Sequence, residues 1–367
     1  MAKADVLRNS PAFSRGVLFL LLLAVAGLVA CRAQLSLGFQ VSGLAQTGLP
    51  GLYEGQFMFF SGIGAGLAAA RLYCRLSGRS GLDPLILWFT FCVLLAALSF
   101  SAINLGRPER FFYIFRSHNF SSLRFWVSLA LLVYLFITVL SLAGFGRKYL
   151  MFPAVFLASA IPVLNGLLYQ GMSEGRFHDF PLHSALLAPR FLASAVSCGL
   201  ALLLLGLFLL RNFARFDLDA KFVKTLAAGS ACALALNVFF YILGAADAFY
   251  NLSAGRARFL LLFFGGGDTL RFANIAMWLS AVLALLALLL LLLPRTRGNM
   301  HLLPWSLAMI PLSALLEQGL NFNAWAGYTP SLIELLVSAG LVSACLALFG
   351  TGGRRILRHA LTPVKIF

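Results

Sequence analysis

The stretch IAMWLSAVLALLALLLLLL, residues 275–293, runs for nineteen residues without a charged side chain. An apolar run of about 18 residues or more is long enough to cross the hydrocarbon core of a bilayer as an α-helix. Comparable runs recur along the chain, so we expect about ten transmembrane helices. The predicted spans are 16–31, 55–74, 84–103, 125–144, 150–170, 185–210, 222–243, 270–293, 302–319 and 332–349.

The composition excludes an ordinary soluble enzyme. Of the 367 residues, 61% are hydrophobic and 11% are charged, whereas a soluble domain is about 45–50% apolar and about 25% charged. Ten helices of about 20 residues leave only short connections and no room for a soluble catalytic domain. The predicted fold is therefore all-α, a polytopic membrane protein.

The distribution of basic residues predicts how the helices are oriented. The net charge is +16, from 28 Lys and Arg against 12 Asp and Glu. No basic stripe lies on a polar face, so we expect no nucleic-acid partner. If the ten spans alternate in direction, 18 basic residues fall on one side and 10 on the other. Because loops rich in Lys and Arg stay in the cytoplasm, we expect a bacterial inner-membrane protein, surrounded by lipid, with both termini cytoplasmic.

The first span has a second interpretation. Residues 28–31 (LVAC) follow a basic and then apolar stretch and resemble a bacterial lipoprotein cleavage box, with Cys31 as the acceptor. Cleavage there would leave nine spans without changing the topology of the rest.

We expect no haem and no metal in this chain. A haem inside a helical bundle needs axial ligands, usually His, on facing helices. The five histidines instead fall in loops or at span ends, and no Cys or His spacing suits zinc or an iron–sulfur cluster. These histidines are His118, His178, His183, His301 and His359.

Acidic residues at the ends of apolar spans are the first candidates for chemistry. Glu54 opens the second span between Tyr53 and Gln56, while Glu317 and Glu334 lie in the ninth and tenth spans. A charge at the bilayer centre costs about 2.5–3.5 kcal/mol on insertion scales. Near a span end, snorkelling or helix capping also explains a charge. A carboxylate facing a bundle at residue 54 is suited to exchanging protons with a hydroquinone or to binding a polar substrate.

The predicted outer loop after the third span has an unusual composition, NLGRPERFFYIFR over residues 104–116. Gly106 and Pro108 break the helix, and Arg107 and Arg110 precede a row of aromatic side chains. An aromatic belt with anchoring charges accounts for this pattern. A rigid corner that shapes a pocket mouth or docks a partner accounts for it as well.

This loop carries a resemblance. Residues 105–111, LGRPERF, resemble the L-G-R-P-x-R-F/W signature of the NrfD/PsrC family, the integral membrane subunits of polysulfide-reductase-like complexes. Other segments resemble the family in the same order along the chain: the aromatic and then glycine-rich run at 56–66, the Pro-containing segment at 181–194, and YTPSLIE at 328–334, similar to the Y-x-P-S-x-x-E of ten-helix members. The chain departs from the family at Asn104, where an acidic residue is common, and at His183, where Trp is common.

The resemblance implies a quinone-linked electron-transfer subunit rather than an enzyme on its own. It implies menaquinone or ubiquinone as substrate, and electrons exchanged on the outer face with a docked ferredoxin-like iron–sulfur subunit. That partner would connect to a molybdopterin enzyme or a multihaem cytochrome. It also implies two four-helix bundles plus extra terminal helices: an N-terminal helix and loop over 1–50, the quinone-binding bundle within 51–211, and the second bundle and C-terminal helix within 212–367.

The candidate site residues follow from the chemistry of the polar residues and from the family resemblance together. The expected quinone site comprises Tyr53, Glu54, Gln56, Arg107 and His183, with Glu54 as the catalytic proton donor or acceptor. The expected partner-docking region comprises Arg107, Pro108, Arg110, His178 and Asp179. Glu317 and Glu334 are candidates for a proton path.

Two other functions fit parts of the pattern. A secondary transporter also has broken helices, here at Pro153, Pro162 and Pro311, and carboxylates within the membrane. Against it, no inverted repeat is visible in the sequence. A purely structural anchor for a peripheral enzyme would have no quinone site at all.

Overall fold

The computed structural model describes residues 11–38, 51–116, 119–146, 148–174, 183–214, 219–250, 260, 263–265, 268–321 and 330–360. These residues form ten helices of nineteen residues or more, with short helical turns between them. The long helices are α1 (Pro11–Leu37), α2 (Leu52–Leu76), α3 (Asp83–Asn104), α4 (Leu123–Leu142), α5 (Met151–Glu174), α6 (His183–Ala214), α7 (Ala220–Tyr250), α8 (Asp268–Leu292), α9 (Leu303–Asn321) and α10 (Leu332–Ala360). No strand occurs among the described residues, and the predicted all-α fold is confirmed.

Nine of the ten long helices in the described ranges are apolar enough to cross a membrane. The exception is α9, in which two prolines, Glu317 and Gln318 lower the mean hydropathy. At 19 residues it is nevertheless about 28 Å long, and it packs against α8 and α6. The prediction of a polytopic membrane protein with about ten helices is confirmed.

The helices form two closed bundles. In the first bundle α2 packs against α3, α3 against α4, α4 against α5, and α5 against α2. In the second bundle the helices α6 to α9 pack against one another in the same cyclic order. The bundles are joined because α2 also packs against α6 and α9, and α5 against α6. The two predicted four-helix bundles are therefore confirmed, while the division of the chain after residues 50 and 211 stays a prediction.

The bundles approach closely where α2 crosses α6. A Cβ on Gly66 would lie 2.6 Å from the Cα of Gly199, so a side chain at this point would force the two helices apart. Small residues let membrane helices come together in this way. The glycine-rich segment of α2 is thus a packing surface between the bundles.

The terminal helices α1 and α10 pair with each other, and α10 packs against α3 on the outside of the first bundle. Their contact is close because a Cβ on Gly27 would lie 2.5 Å from the Cα of Gly340. Cys31 lies within α1 as a free thiol, and lipoprotein cleavage at this residue stays a prediction.

The two ends of the molecule carry different polar chemistry. We call the end that holds residues 105–116 and 119–122, between α3 and α4, the corner end. At the opposite end, Asp83 accepts hydrogen bonds from Arg71 Nε at 2.7 Å and Arg75 Nη2 at 2.9 Å. These bonds tie the last turns of α2 to the first turn of α3.

Candidate functional site

The best-defined polar site in the first bundle is centred on Glu54. This residue lies in the first turn of α2 and is fully buried. Its Oε2 accepts a hydrogen bond from Asn104 Nδ2 at 2.7 Å, and its Oε1 pairs with Arg124 Nη1 at 2.5 Å. Because α3 runs antiparallel to both α2 and α4, the start of α2, the end of α3 and the start of α4 meet at the corner end.

Several interactions stabilise the charge of Glu54. Its carboxylate lies at the N-terminus of α2, where the helix dipole favours an anion, and Arg124 compensates it directly. The Arg124 guanidinium also lies over the Phe57 ring, 5.4 Å from the centroid, an arrangement in which the aromatic face attracts a cation. A neutral amide at residue 104 adds a donor without adding charge, whereas an acidic side chain there would face the Glu54 carboxylate.

The site retains capacity for a ligand. Arg124 Nη2 is buried and has no hydrogen-bond partner among the described residues, so one donor is unused. Each carboxylate oxygen of Glu54 has two lone pairs, so acceptor capacity remains beside the existing bonds. The site can therefore donate to one oxygen of a ligand and accept from another.

A second polar contact lies deeper on the same face of α2. Ser61 follows Glu54 by seven residues, two helical turns or about 10 Å. Its Oγ accepts a hydrogen bond from Asn165 Nδ2 of α5 at 2.8 Å. Asn165 is fully buried, and its Oδ1 has no partner among the described residues. Polar groups thus extend from the Glu54 site into the first bundle.

Tyr53 and Gln56 lie on a different face of α2 from Glu54. Successive helical residues are about 100° apart, which places Tyr53 and Gln56 near each other and turned away from Glu54. Tyr53 donates a hydrogen bond from its hydroxyl to Gln34 Oε1 of α1 at 2.6 Å. The structure therefore brings the Glu54 side chain together with Asn104 and Arg124, while Tyr53 and Gln56 face elsewhere.

The corner residues lie at the surface. Arg107 and Arg110 are exposed, and Pro108 begins a 3-10 helix, Pro108–Phe112, that packs on α3. Phe111 is buried, whereas Phe112 is 71% exposed. The chain can turn here because Gly106 adopts a φ of 69°, which costs a glycine little.

The remaining predicted residues divide between the undescribed segment and other helices. His178 and Asp179 lie outside the described residues, and His183 is the first residue of α6, with its side chain outside the description. Glu334 forms a capping box at the start of α10: its Oε2 accepts from Ser331 N at 2.8 Å, and Ser331 Oγ accepts from Glu334 N at 3.3 Å.

Glu317 belongs to a separate polar cluster in the second bundle. It pairs with Arg190 of α6, whose guanidinium lies 4.3 Å from the centroid of the Tyr241 ring. Among the described residues, no group of three or more His, Cys, Asp or Glu side chains is arranged to hold a metal ion.

Sequence reasoning missed Arg124 as the partner of Glu54. It was counted only as one basic residue of an outer loop, although it stands inside the first turn of an apolar span. The available signal was a single Arg at the start of an apolar span, on the same predicted side of the membrane as Glu54. Asn104 was noted only as a departure from the family pattern.

A family model matches most of the chain. The family model described as "Polysulphide reductase, NrfD" matches residues 51–322, which include α2 to α9 and the whole Glu54 site. No curated protein matches the chain.

Proposed function

The chain belongs to the NrfD family, whose members are membrane subunits of quinone-linked oxidoreductases, and from this premise we propose that it exchanges electrons between the membrane quinone pool and a partner docked at the corner end. The proposed partner is a ferredoxin-like iron–sulfur subunit or a cytochrome, linked to a molybdopterin or multihaem subunit. The family match supports the redox function, and no finding supports the transporter alternative.

The observation that carries this proposal is the fully buried Glu54 between Asn104 and Arg124. Oxidation of a hydroquinone releases two electrons and two protons, and reduction of a quinone takes them up. We propose that Glu54 accepts one of these protons at a carboxylate oxygen in the first direction and returns it in the second, the other proton passing to water. In this proposal Arg124 Nη2, which has no partner among the described residues, donates a hydrogen bond to the other ring oxygen.

Arg107, Pro108 and Arg110 are proposed to contact the partner. The exposure of both arginines favours docking over the quinone-lining role that the sequence also suggested for Arg107. The exposed Phe112 and Tyr113 beside them are typical of an interfacial anchor. Tyr53, Gln56 and His183 stay predicted contributors to the quinone site.

The decisive experiment is Glu54→Gln in the intact complex. Glutamine keeps an acceptor for Asn104 but loses the titratable carboxylate, so we expect quinone-coupled turnover to be abolished while the subunits still co-purify. Asp219→Asn is the matched control, because Asp219 is an exposed carboxylate at the end opposite the corner. Normal turnover in Glu54→Gln would remove this residue from the mechanism.

A proton path through Glu317 and Glu334 is a separate proposal, and both residues also have structural contacts. Glu334 caps α10, and Glu317 pairs with Arg190. Glutamine also serves in a capping box, so Glu334→Gln separates the two roles. If the Glu334 carboxyl group itself conducts protons, Glu334→Gln should lower the number of protons released per electron transferred. If Glu334 only caps α10, that number should stay unchanged.

The orientation and the quinone type complete the proposal. We propose a bacterial inner-membrane protein with cytoplasmic termini, because the basic excess lies at the end opposite the corner. Reporter fusions to each terminus test this orientation. Extraction of bound quinone from the purified complex distinguishes menaquinone from ubiquinone.

A further inference from the structure

The second bundle contains a cavity of its own. It has a volume of about 220 Å³ and lies between α6, α7, α8 and α9. An apolar cavity of about 150 Å³ accepts benzene, and a single water needs only about 10–15 Å³. The space is therefore sufficient for one substituted aromatic ring. It is separate from the Glu54 site, which lies between α2, α3 and α4.

The walls of the cavity are mostly apolar and continue to the lipid-facing surface. Ile242 of α7 and Leu285 of α8 line it and are 59% and 48% exposed. Both helices have the composition of membrane spans. A ligand with an apolar body can therefore enter between α7 and α8 from the acyl region of the bilayer.

Most polar groups around the cavity already have partners. Arg190 and Glu317 neutralise each other. The hydroxyl of Ser280 donates to the Ser313 carbonyl at 2.9 Å, and the hydroxyl of Ser313 donates to the Ser280 carbonyl at 2.8 Å. Since no net charge faces the cavity from these pairs, a neutral ligand fits better than an ion.

Asn237 differs from these polar groups because one of its side-chain atoms has no hydrogen-bond partner within the part of the chain that the structure describes. It lines the cavity, is only 9% exposed, and its Oδ1 is buried without a hydrogen-bond partner among the described residues. A buried acceptor without a donor is costly, and a ligand O–H would satisfy it. Met277 of α8 also lines the cavity, and thioethers make favourable contacts with aromatic rings.

We propose that this cavity binds the hydroxylated aromatic headgroup of a neutral membrane amphiphile, of the hydroquinone or phenol class, with its O–H donating to Asn237 Oδ1. The oxidised quinone offers only acceptors and cannot satisfy Asn237 Oδ1, so we expect the reduced form to bind more tightly. This site does not depend on the function proposed for Glu54.

The test uses the purified full chain in lipid nanodiscs with three labelled probes: trimethylhydroquinone, its dimethyl ether and trimethylbenzoquinone. The ether has a similar shape without a donor. We expect trimethylhydroquinone to bind at this site about fivefold more tightly than either other probe, the effect of one hydrogen bond. Asn237→Leu should abolish that preference, and Ala281→Leu, which fills the cavity, should abolish binding at this site while leaving binding at the separate Glu54 site.

Two controls separate this proposal from the others. Phe239→Leu, on the lipid-facing side of the same helix, should bind like the wild type. Glu54→Gln should bind the probes at the second-bundle cavity like the wild type. A failure of the Glu54 proposal would therefore leave this test valid. Absence of binding in the wild type would overturn the proposal, and so would equal affinity for the three probes or unchanged binding in both cavity variants.

Discussion

Removing either partner of the Glu54–Arg124 pair should destabilise the protein, but by different amounts. The Glu54 side chain is 0% exposed and that of Arg124 is 20% exposed. Arg124→Met strands a buried carboxylate, and breaking a buried pair in this way costs about 3–5 kcal/mol; with Asn104 still donating, we expect about 3 kcal/mol. Glu54→Gln leaves an arginine that water can reach, and we expect about 1–2 kcal/mol.

A double-mutant cycle measures the pair itself. When both residues are replaced, neither charge is left unpaired, so the double variant should lose less stability than the two single variants together. We expect a coupling energy of about 2 kcal/mol, within the range of contacting residues. The assay is reversible unfolding of the purified chain in mixed micelles with increasing fractions of dodecyl sulfate, followed by circular dichroism.

The Arg79–Asp219 pair is the matched control. Its side chains are 20% and 46% exposed, and exposed pairs contribute about 0–1 kcal/mol. Asp219→Asn also keeps an acceptor for the Lys221 N–H at the start of α7, as asparagine caps helices as well as aspartate does. If the losses at Glu54 and Arg124 add without coupling, the two residues are not paired in the membrane protein, and the proposed site is wrong.

Three further changes test the framework around the site. Asp83→Asn should lower the thermal midpoint in detergent clearly more than Asp219→Asn, because the Asp83 side chain is 3% exposed and pairs with two arginines; equal shifts would contradict this. Gly66→Ala should reduce the yield of folded protein on size exclusion, because its Cβ would lie 2.6 Å from the α6 backbone, whereas Gly229→Ala, with its nearest atom at 3.4 Å, should be tolerated; matching yields would refute the close approach. Glu334→Ala should lose about 1 kcal/mol of stability through the lost cap, while Glu334→Gln should unfold like the wild type.

The sequence contained most of the fold, because membrane spans are encoded locally. Each span is a continuous apolar run, so its limits are readable without knowledge of its neighbours. The predicted span 302–319 corresponds to α9, which contains two prolines and a polar C-terminal end and is not among the nine helices that are long and apolar enough to span a membrane in the described residues. The glycines of α2 also indicate, within one span, that this helix packs closely against another.

The site was less predictable because it depends on which helices are neighbours. Residues 54, 104 and 124 lie on three helices, and only the packing of the first bundle brings them together. Sequence reasoning grouped Tyr53, Glu54 and Gln56 because they are adjacent in the chain. Helical geometry turns adjacent side chains about 100° apart, so residues that are neighbours in the chain lie on different faces of the helix.

The Glu54 site and the second-bundle cavity differ in the hydrogen-bonding groups that they leave unsatisfied, and this difference agrees with the different roles that we propose for them. A site that interconverts quinone and hydroquinone must bind both, and therefore needs a donor for the oxidised form and an acceptor for the reduced form. The Glu54 site has both, in Arg124 Nη2 and the carboxylate. In the second-bundle cavity the unsatisfied oxygen among the described residues is Asn237 Oδ1, an acceptor that a ligand O–H would satisfy. We therefore expect its occupancy to follow the reduced fraction of the quinone pool, while we propose the Glu54 site for the chemistry.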